Sequence, residues 1–481
     1  MAPRTSLKSF LATARVALTA QSSKRTTPLT FVVGNESADL DSLCSALLLA
    51  YFNTYAPSKR RTSHGDGSQG SNTLHIPICH LLRADLALRP EFTAVLRDAG
   101  VKGEDVFTLE DVLPHSNGES QSNNAHSVSS NDKGASPIDP EETRWLLVDH
   151  NAMTGTLAKR FASRVIGCVD HHADEDFVPR DAQTRIIEKS GSCASLVLEH
   201  CAEIWDSLSA HAENANNVAG GEGEKAGEDA KNIDVQIARL ALAPILIDTT
   251  NLRDKNKTTA HDERAVELAE AKIVEAIKGL KGLKGLKEEE GGERYDREAF
   301  FKRLAALKED IAEMSLRDVF RKDYKEWSVG GLNLGTSSVP RGFGYLVDGK
   351  AEGDKAGFIK ALMDWGTEKD GIAQEGGMDV VMLLTAFQDE NGKFCRELLV
   401  WGRSEKGARA AKLFEERYAG ELGLERWGGG VLDLGEGEGE GERENDGGKK
   451  EWRRCWAQGA VKYSRKQIAP MLRDVLKEVA S

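Results

Sequence analysis

The chain lacks any Cys-x-x-Cys pair, and its seven cysteines are an odd number. With no secretory signal in view, that argues against a disulfide framework and for free thiols in a reducing compartment. Apolar runs long enough to cross a bilayer are also absent, so a membrane-spanning protein is not expected. There is no excess of base: 64 Lys and Arg stand against 77 Asp and Glu, a formal charge of −13. That excludes nucleic-acid binding through bulk charge, although a local basic site can still take an anionic substrate. Neither a Walker A loop nor a G-x-G-x-x-G is present, and no serine or cysteine nucleophile motif appears. What remains is a chain of 481 residues, 40% hydrophobic and 29% charged. It has the length for two or three globular domains.

Against this background, four apolar runs end in chemistry. Leu29–Val33 leads into Gly34-Asn35-Glu36-Ser37-Ala38-Asp39-Leu40-Asp41-Ser42, and Leu43, Ala46, Leu47 and Ala50 follow at helical spacing. This reads as strand, polar turn and helix. A helix cap needs one residue such as Asp41 or Ser42, whereas this turn carries two acids and Asn35. Trp145–Val148 ends in Asp149-His150-Asn151, and Val165–Val169 ends in Asp170-His171-His172. A short crossover helix between those two runs, over 157–164, makes them neighbouring parallel strands. Pro244–Ile247 runs into Asp248. Open α/β sheets bind ligands at the carboxyl ends of their strands. Clustered carboxylates repel one another unless a cation binds them.

Asp39, Asp41, Asp149, His171 and Asp248, with His172 and His150 nearby, therefore compose an oxygen-rich site with imidazole. Such a set suits Mn²⁺ or Mg²⁺, with Co²⁺ acceptable in vitro, better than a thiolate zinc site. Two ions are expected, and a metal pair can generate a nucleophile and clamp phosphoryl oxygens. Asp170 reads as the carboxylate that orients an imidazole from behind. The small-residue turn Ser190–Ser195 opens a helix and suits either a bound anion or ordinary capping.

The expected architecture is α/β: an N-terminal parallel-sheet domain (1–277), a flexible linker (278–294) rich in Lys-Gly-Leu repeats, and a smaller C-terminal α/β domain (295–481). Unstructured insertions are expected near 115–137 and 211–231, and an acidic loop near 430–450. In the second domain, strands are expected at 332–339, 380–387, 395–401 and 456–461, with helices at 356–365 and 466–480. Lys462, Arg465 and Lys466 crowd the start of that last helix. Basic side chains are unfavourable there without an anion, so they read as a solvated turn or as a phosphate site together with Lys325. The first thirty residues carry five basic groups and no acid. They read as an amphipathic helix or as a mitochondrial transit segment.

These motifs, in this order, resemble the DHH phosphoesterase superfamily. Gly34–Ser42, Asp149-His150-Asn151, Asp170-His171-His172 and Asp248 look like its four motifs. Asp323-Tyr324-Lys325-Glu326-Trp327 and Ser464-Arg465-Lys466 look like those of the associated DHHA2 domain. The resemblance implies that Asp39, Asp41, Asp149, His171 and Asp248 hold metal and that Asp41, Asp149, His171 and His172 carry catalysis. It implies that His172, Lys325, Arg465 and Lys466 contact phosphates, with Asn35 and His150 in supporting places. Family II inorganic pyrophosphatases have His at the position of Asn35 and Pro at that of Ala38, and prune-type proteins usually depart from Asp-His-His. The pattern here is most similar to eukaryotic cytosolic exopolyphosphatases. That similarity implies release of terminal orthophosphate from linear inorganic polyphosphate, and a monomer is expected. The expected location is cytoplasmic, with a mitochondrial fraction if the basic N-terminus acts as a signal. A pyrophosphatase and a prune-like interaction protein are the alternatives.

Overall fold

The computed structural model describes residues 5–20, 27–56, 73–113, 138–216, 222–283, 295–367, 377–434 and 451–481, with backbone alone for 211–216, 222–230 and 279–283. The chain divides into two compact units, Met1–Lys308 and Glu309–Ser481.

The first unit opens with α1 (Leu7–Thr19), whose Leu7, Phe10, Leu11, Ala14 and Leu18 are buried. Phe10 meets the rings of Tyr51 and Tyr55, and Arg15 lies over Phe107 and pairs with Asp111. Within the basic stretch, Leu7–Thr19 is thus a packed amphipathic helix. β1 (Leu29–Val33) is buried throughout and runs into α2 (Leu40–Tyr55), which is buried on nearly every face. β2 (His75–Ile78), α3 (Pro90–Asp98), β3 (Thr143–Val148), α4 (Gly155–Phe161), β4 (Val165–Asp170) and β5 (Thr184–Ile187) follow. All five strands are parallel, in the order β2-β1-β3-β4-β5. Parallel pairing brings their carboxyl ends, and the acids that follow β1, β3 and β4, to one edge.

Three long helices complete the unit: α5 (Cys193–Asn216), α6 (Glu222–Asp248) and α7 (Ala260–Leu283). α8 (Arg297–Glu309) closes it. α2 packs on α5 and α6, and α5 and α6 both pack on α7. Three expectations fail here. Helical backbone covers 211–216 and 222–231, where an unstructured insertion was expected, because each helix is held by a buried apolar segment and propagates outward at little cost. Likewise α7 continues through the start of the Lys-Gly-Leu repeats to Leu283. The fourth apolar run is no strand end: Pro244–Ile247 lies inside α6. Burial of Leu240, Leu242, Ile245 and Leu246 around it offsets the hydrogen bond that Pro244 removes. The expected insertion at 115–137, most of the acidic loop (435–450) and the linker residues 284–294 lie outside the described residues.

The second unit contains α9 (Leu316–Lys322), β6 (Tyr324–Val329), β7 (Leu332–Val339), α10 (Lys355–Thr367), β8 (Val380–Thr385) and the two-residue strands β9 (Phe387–Gln388) and β10 (Phe394–Cys395). β11 (Glu397–Gly402), α11 (Glu405–Leu422), β12 (Leu424–Arg426), β13 (Trp452–Gln458) and α12 (Arg465–Ala480) follow. Its six-stranded sheet runs β12-β13-β11-β8-β7-β6, parallel only between β7 and β8. Side chains alternate across that sheet. Val380, Met382 and Leu384 face one apolar layer with α11 and α12, while Val381 and Leu383 face another with α9 and α10. The fold class is therefore α/β with an N-terminal parallel sheet and a separate mixed-sheet domain. No helix among the described residues is long and apolar enough to cross a membrane.

Candidate metal centre at the sheet edge

Gly34 follows β1 in contact with α2: a Cβ there would lie 2.6 Å from that of Ser42, so only glycine permits the approach. The turn that follows carries Ala38 at φ 44° and Asp39 as N-cap of α2, its carboxylate accepting from Ser42 N at 3.1 Å. The capping reading of this turn holds for Asp39 itself. Arg89 is buried and donates to the carbonyls of Ala38 (2.8 Å) and Ser37 (2.7 Å), which clamps the turn from outside.

Asp149, just beyond β3, adopts φ 61°, a left-handed conformation that aspartate tolerates better than most residues. Its Oδ2 accepts from Ser42 Oγ at 2.6 Å and from Asn35 Nδ2 at 2.7 Å. Its Oδ1 faces His171 Nε2 at 3.1 Å. His171 Nδ1 donates to the Ser190 carbonyl at 2.9 Å, which leaves Nε2 as the atom directed at Asp149. Asp170, fully buried, accepts from His171 N (2.7 Å), His172 N (3.2 Å) and His172 Nδ1 (2.8 Å), and Asn151 Nδ2 donates to its other oxygen at 2.6 Å. Asp170 thus orients His172, whose ring stays half-exposed. Asp149, His171 and His172 offer ligand atoms within 4.8 Å of one another.

Asp41 lies in the first turn of α2, buried. Its oxygens accept from Ser192 Oγ (2.8 Å), Cys193 N (2.6 Å), Ala194 N (2.9 Å) and Ser45 Oγ (3.2 Å). The anion at the start of α5 is therefore the protein's own carboxylate. An external anion has no place in the small-residue turn, because Asp262 takes the remaining donors: Gly191 N at 2.9 Å and Ser192 N at 3.2 Å.

The electrostatics bind the set together. Burial, then the charges of Asp149 and Asp248, hold the Asp41 carboxyl well above its ordinary range. Asp248, the last residue of α6, is pushed up to about 7, first by burial and then by Asp39 and Asp149, with the Lys308 ammonium opposing. Burial pulls His171 down, but Asp149 and the charge of Asp41 outweigh it and raise the imidazole to about 10. Asp149, His171 and His172 are thus the group of ligand atoms, and the charges of Asp39, Asp41 and Asp248 act on them strongly enough that protons are held there; a divalent cation is the chemical group that can replace those protons.

His150 donates from Nδ1 to the Val148 carbonyl at 2.9 Å and keeps Nε2 buried without a partner, and burial holds it below its ordinary value. Lys325 lies on β6. Arg465 is the first residue of α12, and its guanidinium binds the Asp323 carbonyl and carboxylate, both at 2.7 Å. Lys466 is exposed beside it. The anion at this helix start is thus Asp323 for Arg465, and the two motif segments of the second unit are joined directly. His80, Arg89, Asp262 and Lys308 were not foreseen, and Ser42 was read only as a helix cap and as part of the first motif. Thr259-x-x-Asp262 reads locally as a capping pair for α7, which it also is.

Residues 30–245 match the DHH family, N-terminal domain, and residues 302–475 match the DHHA2 domain. Over 453 residues the chain is 28% identical to the Schizosaccharomyces pombe protein named “Putative exopolyphosphatase”, covering 94% of this chain and 92% of that protein. It is 23% identical over 375 residues to the Rattus norvegicus protein named “Exopolyphosphatase PRUNE1”, covering 78% of this chain and 63% of that protein. A solved structure, the Methanococcus jannaschii “putative family II inorganic pyrophosphatase”, aligns at 17% identity with a TM-score of 0.46, over 93% of this chain and 99% of that one.

Proposed function

We propose that this chain, a DHH-family protein with a DHHA2 domain, is a metal-dependent exopolyphosphatase that releases terminal orthophosphate from linear inorganic polyphosphate. The observation that carries the reading is the convergence of Asp149, His171 and His172, whose ligand atoms lie within 4.8 Å of one another, with the charges of Asp39, Asp41 and Asp248 acting on the same place. In this reading those five residues hold one or two ions, Mg²⁺ or Mn²⁺ by the preponderance of oxygen donors. Bound there, the metal supplies Lewis acidity toward phosphoryl oxygens and lowers the pKa of water. His172, oriented by Asp170, presents Nε2 to the terminal phosphate. Lys325, Arg465 and Lys466 bind the remaining phosphates. Water adds to the terminal phosphorus, the P–O bond to the next phosphate breaks, and orthophosphate leaves a chain one unit shorter.

The name of the Schizosaccharomyces pombe relative agrees with the substrate. Asn35 supports it as well, since an amide that donates to Asp149 stands where a second imidazole ligand would otherwise be. All seven cysteines are unpaired, which fits work in the cytoplasm, and the active species is taken as a monomer. The test is phosphate release from long-chain polyphosphate and from pyrophosphate, with Mg²⁺ or Mn²⁺, for the intact protein and Asp149→Asn. Polyphosphate turnover that Asp149→Asn abolishes is the expected result. Faster turnover of pyrophosphate would replace the substrate assignment. No turnover of either would favour an interaction role like that of the prune-type proteins.

A further inference from the structure

We infer that Asp262, which lies on α7 and meets no solvent, is the positioning carboxylate of the metal centre, holding His171 and Asp41 in place through the turn that opens α5. The inference rests on the metal-site reading above.

Six donors converge on this one side chain. Ser190 Oγ (3.0 Å), Ser192 N (3.2 Å) and Ser195 Oγ (2.7 Å) reach its Oδ1. Gly191 N (2.9 Å), Thr259 N (2.7 Å) and Thr259 Oγ1 (2.9 Å) reach its Oδ2. The side chain is fully buried, and with three donors on each oxygen it is committed to holding the protein's own groups. Capping α7 requires only the two bonds from Thr259. The other four fasten residues 190–195 to α7 across about seventy residues of chain.

Those residues carry the contacts that shape the site. The Ser190 carbonyl accepts the Nδ1 proton of His171 and so keeps Nε2 on the side of Asp149. Ser192 Oγ, Cys193 N and Ala194 N are three of the four donors to Asp41. Gly191 between them has no room for a side chain: a Cβ would lie 2.8 Å from Asp262 Oδ2, 2.6 Å from Thr249 Cγ2 and 3.0 Å from the Lys257 carbonyl. One carboxylate therefore sets the acceptor of the imidazole and the donors of the buried acid together. Outer carboxylates that fix ligand orientation in this way govern metal affinity by about 10- to 100-fold.

The experiment titrates Mn²⁺ into metal-free protein by calorimetry for the unaltered chain, Asp262→Asn, Ser195→Ala and Ser209→Ala. The Ser195 hydroxyl, which Ser195→Ala removes, bears on the site through Asp262. Ser209 donates instead to Asp234, a separate buried acid that Trp205 Nε1 also binds, and controls for general loss of stability. Expected is weaker Mn²⁺ binding, about 10-fold or more for Asp262→Asn, a smaller loss in the same direction for Ser195→Ala, and unchanged affinity for Ser209→Ala at a comparable fall in Tm. The Nδ1 proton of His171 in metal-free protein, bonded to the Ser190 carbonyl, should change its NMR shift in Asp262→Asn and keep it in Ser209→Ala. Should Asp262→Asn fail to fold, Ser195→Ala carries the same test. Unaltered affinity and an unaltered Nδ1 proton shift in the Asp262 and Ser195 variants would overturn the inference while the metal site stood. Absence of Mn²⁺ binding by the unaltered chain would instead overturn the metal-site reading, and this inference with it.

Discussion

Asn35 Nδ2 lies 2.7 Å from Asp149 Oδ2 and 3.0 Å from the Asp149 carbonyl, so one amide holds both ends of a residue in a left-handed conformation. Ser42 donates to the same carboxylate oxygen. With Oδ2 doubly bound, Oδ1 alone is left to face His171.

Removing that amide should free the carboxylate to rotate. Asn35→Ala is expected to cost roughly 1.5–3 kcal/mol of stability, the range for a hydrogen bond to a charged group, and to lower phosphate release about 10- to 100-fold. Asn35→Asp should be worse, since it adds a fifth carboxylate to the cluster. Urea midpoints together with phosphate-release rates check both, and full activity in a stably folded Asn35→Ala would sink the assignment.

Metal binding should stabilise the protein more at high pH than at low. Asp248 is raised from 3.8 to about 7 and His171 from 6.5 to about 10, and Asp41 is raised too. A group whose folded value is raised favours the fold below its unfolded value and loses that contribution as pH climbs through the folded value. Metal-free protein should thus lose stability at this site between about pH 4 and pH 10, and a cation replaces the departing protons. The Tm increment from Mn²⁺ should be larger at pH 8 than at pH 6. Calorimetry in buffers of different ionisation enthalpy should also register net proton release on binding.

Acid should unfold the first unit through a different group. His80 is buried behind Gly34, donates from Nδ1 to its carbonyl at 3.1 Å, and is lowered by burial from 6.5 to about 4. The unfolded chain takes up this proton below pH 6.5 and the folded chain only near pH 4. The stability at stake, about 3 kcal/mol, is therefore fully present above pH 6.5 and lost as pH falls toward 4. His80→Asn, which can still donate to Gly34, should flatten the urea midpoint against pH in that window. An unchanged slope would assign the acid lability elsewhere.

Much of the site was legible because an apolar run that stops on an acid is a local pattern. β1, β3 and β4 were found that way, with Asp39, Asp41, Asp149 and Asp170 to His172 at their ends. Asp248 was found as a residue but on the wrong element, since four apolar residues in a row fit a buried helix as well as a strand. β5, with four half-buried residues, carries no apolar run. α11 buries Ala408, Ala410 and Ala411, a stripe too faint to stand out. Asp262 reads locally only as a cap of α7, because the four donors that give it a wider role come from about seventy residues away.

Arg465 offers the sharpest separation of a structural from a substrate role. Its fork binds the carbonyl and the carboxylate of Asp323, a geometry that lysine cannot reproduce. If the pair only ties α12 to the start of β6, Asp323→Ala and Arg465→Ala should lower Tm alike and leave KM for polyphosphate alone. If Arg465 also binds phosphate, Asp323→Ala should keep most activity, because the cation remains. Arg465→Ala should then raise KM about tenfold or more, with the effect shrinking as ionic strength rises. The second pattern is expected. A guanidinium has five N–H groups, and the two contacts to Asp323 leave donors in the same plane for a second anion. Steady-state kinetics of both variants at low and high salt, set beside their melting curves, decide between the two.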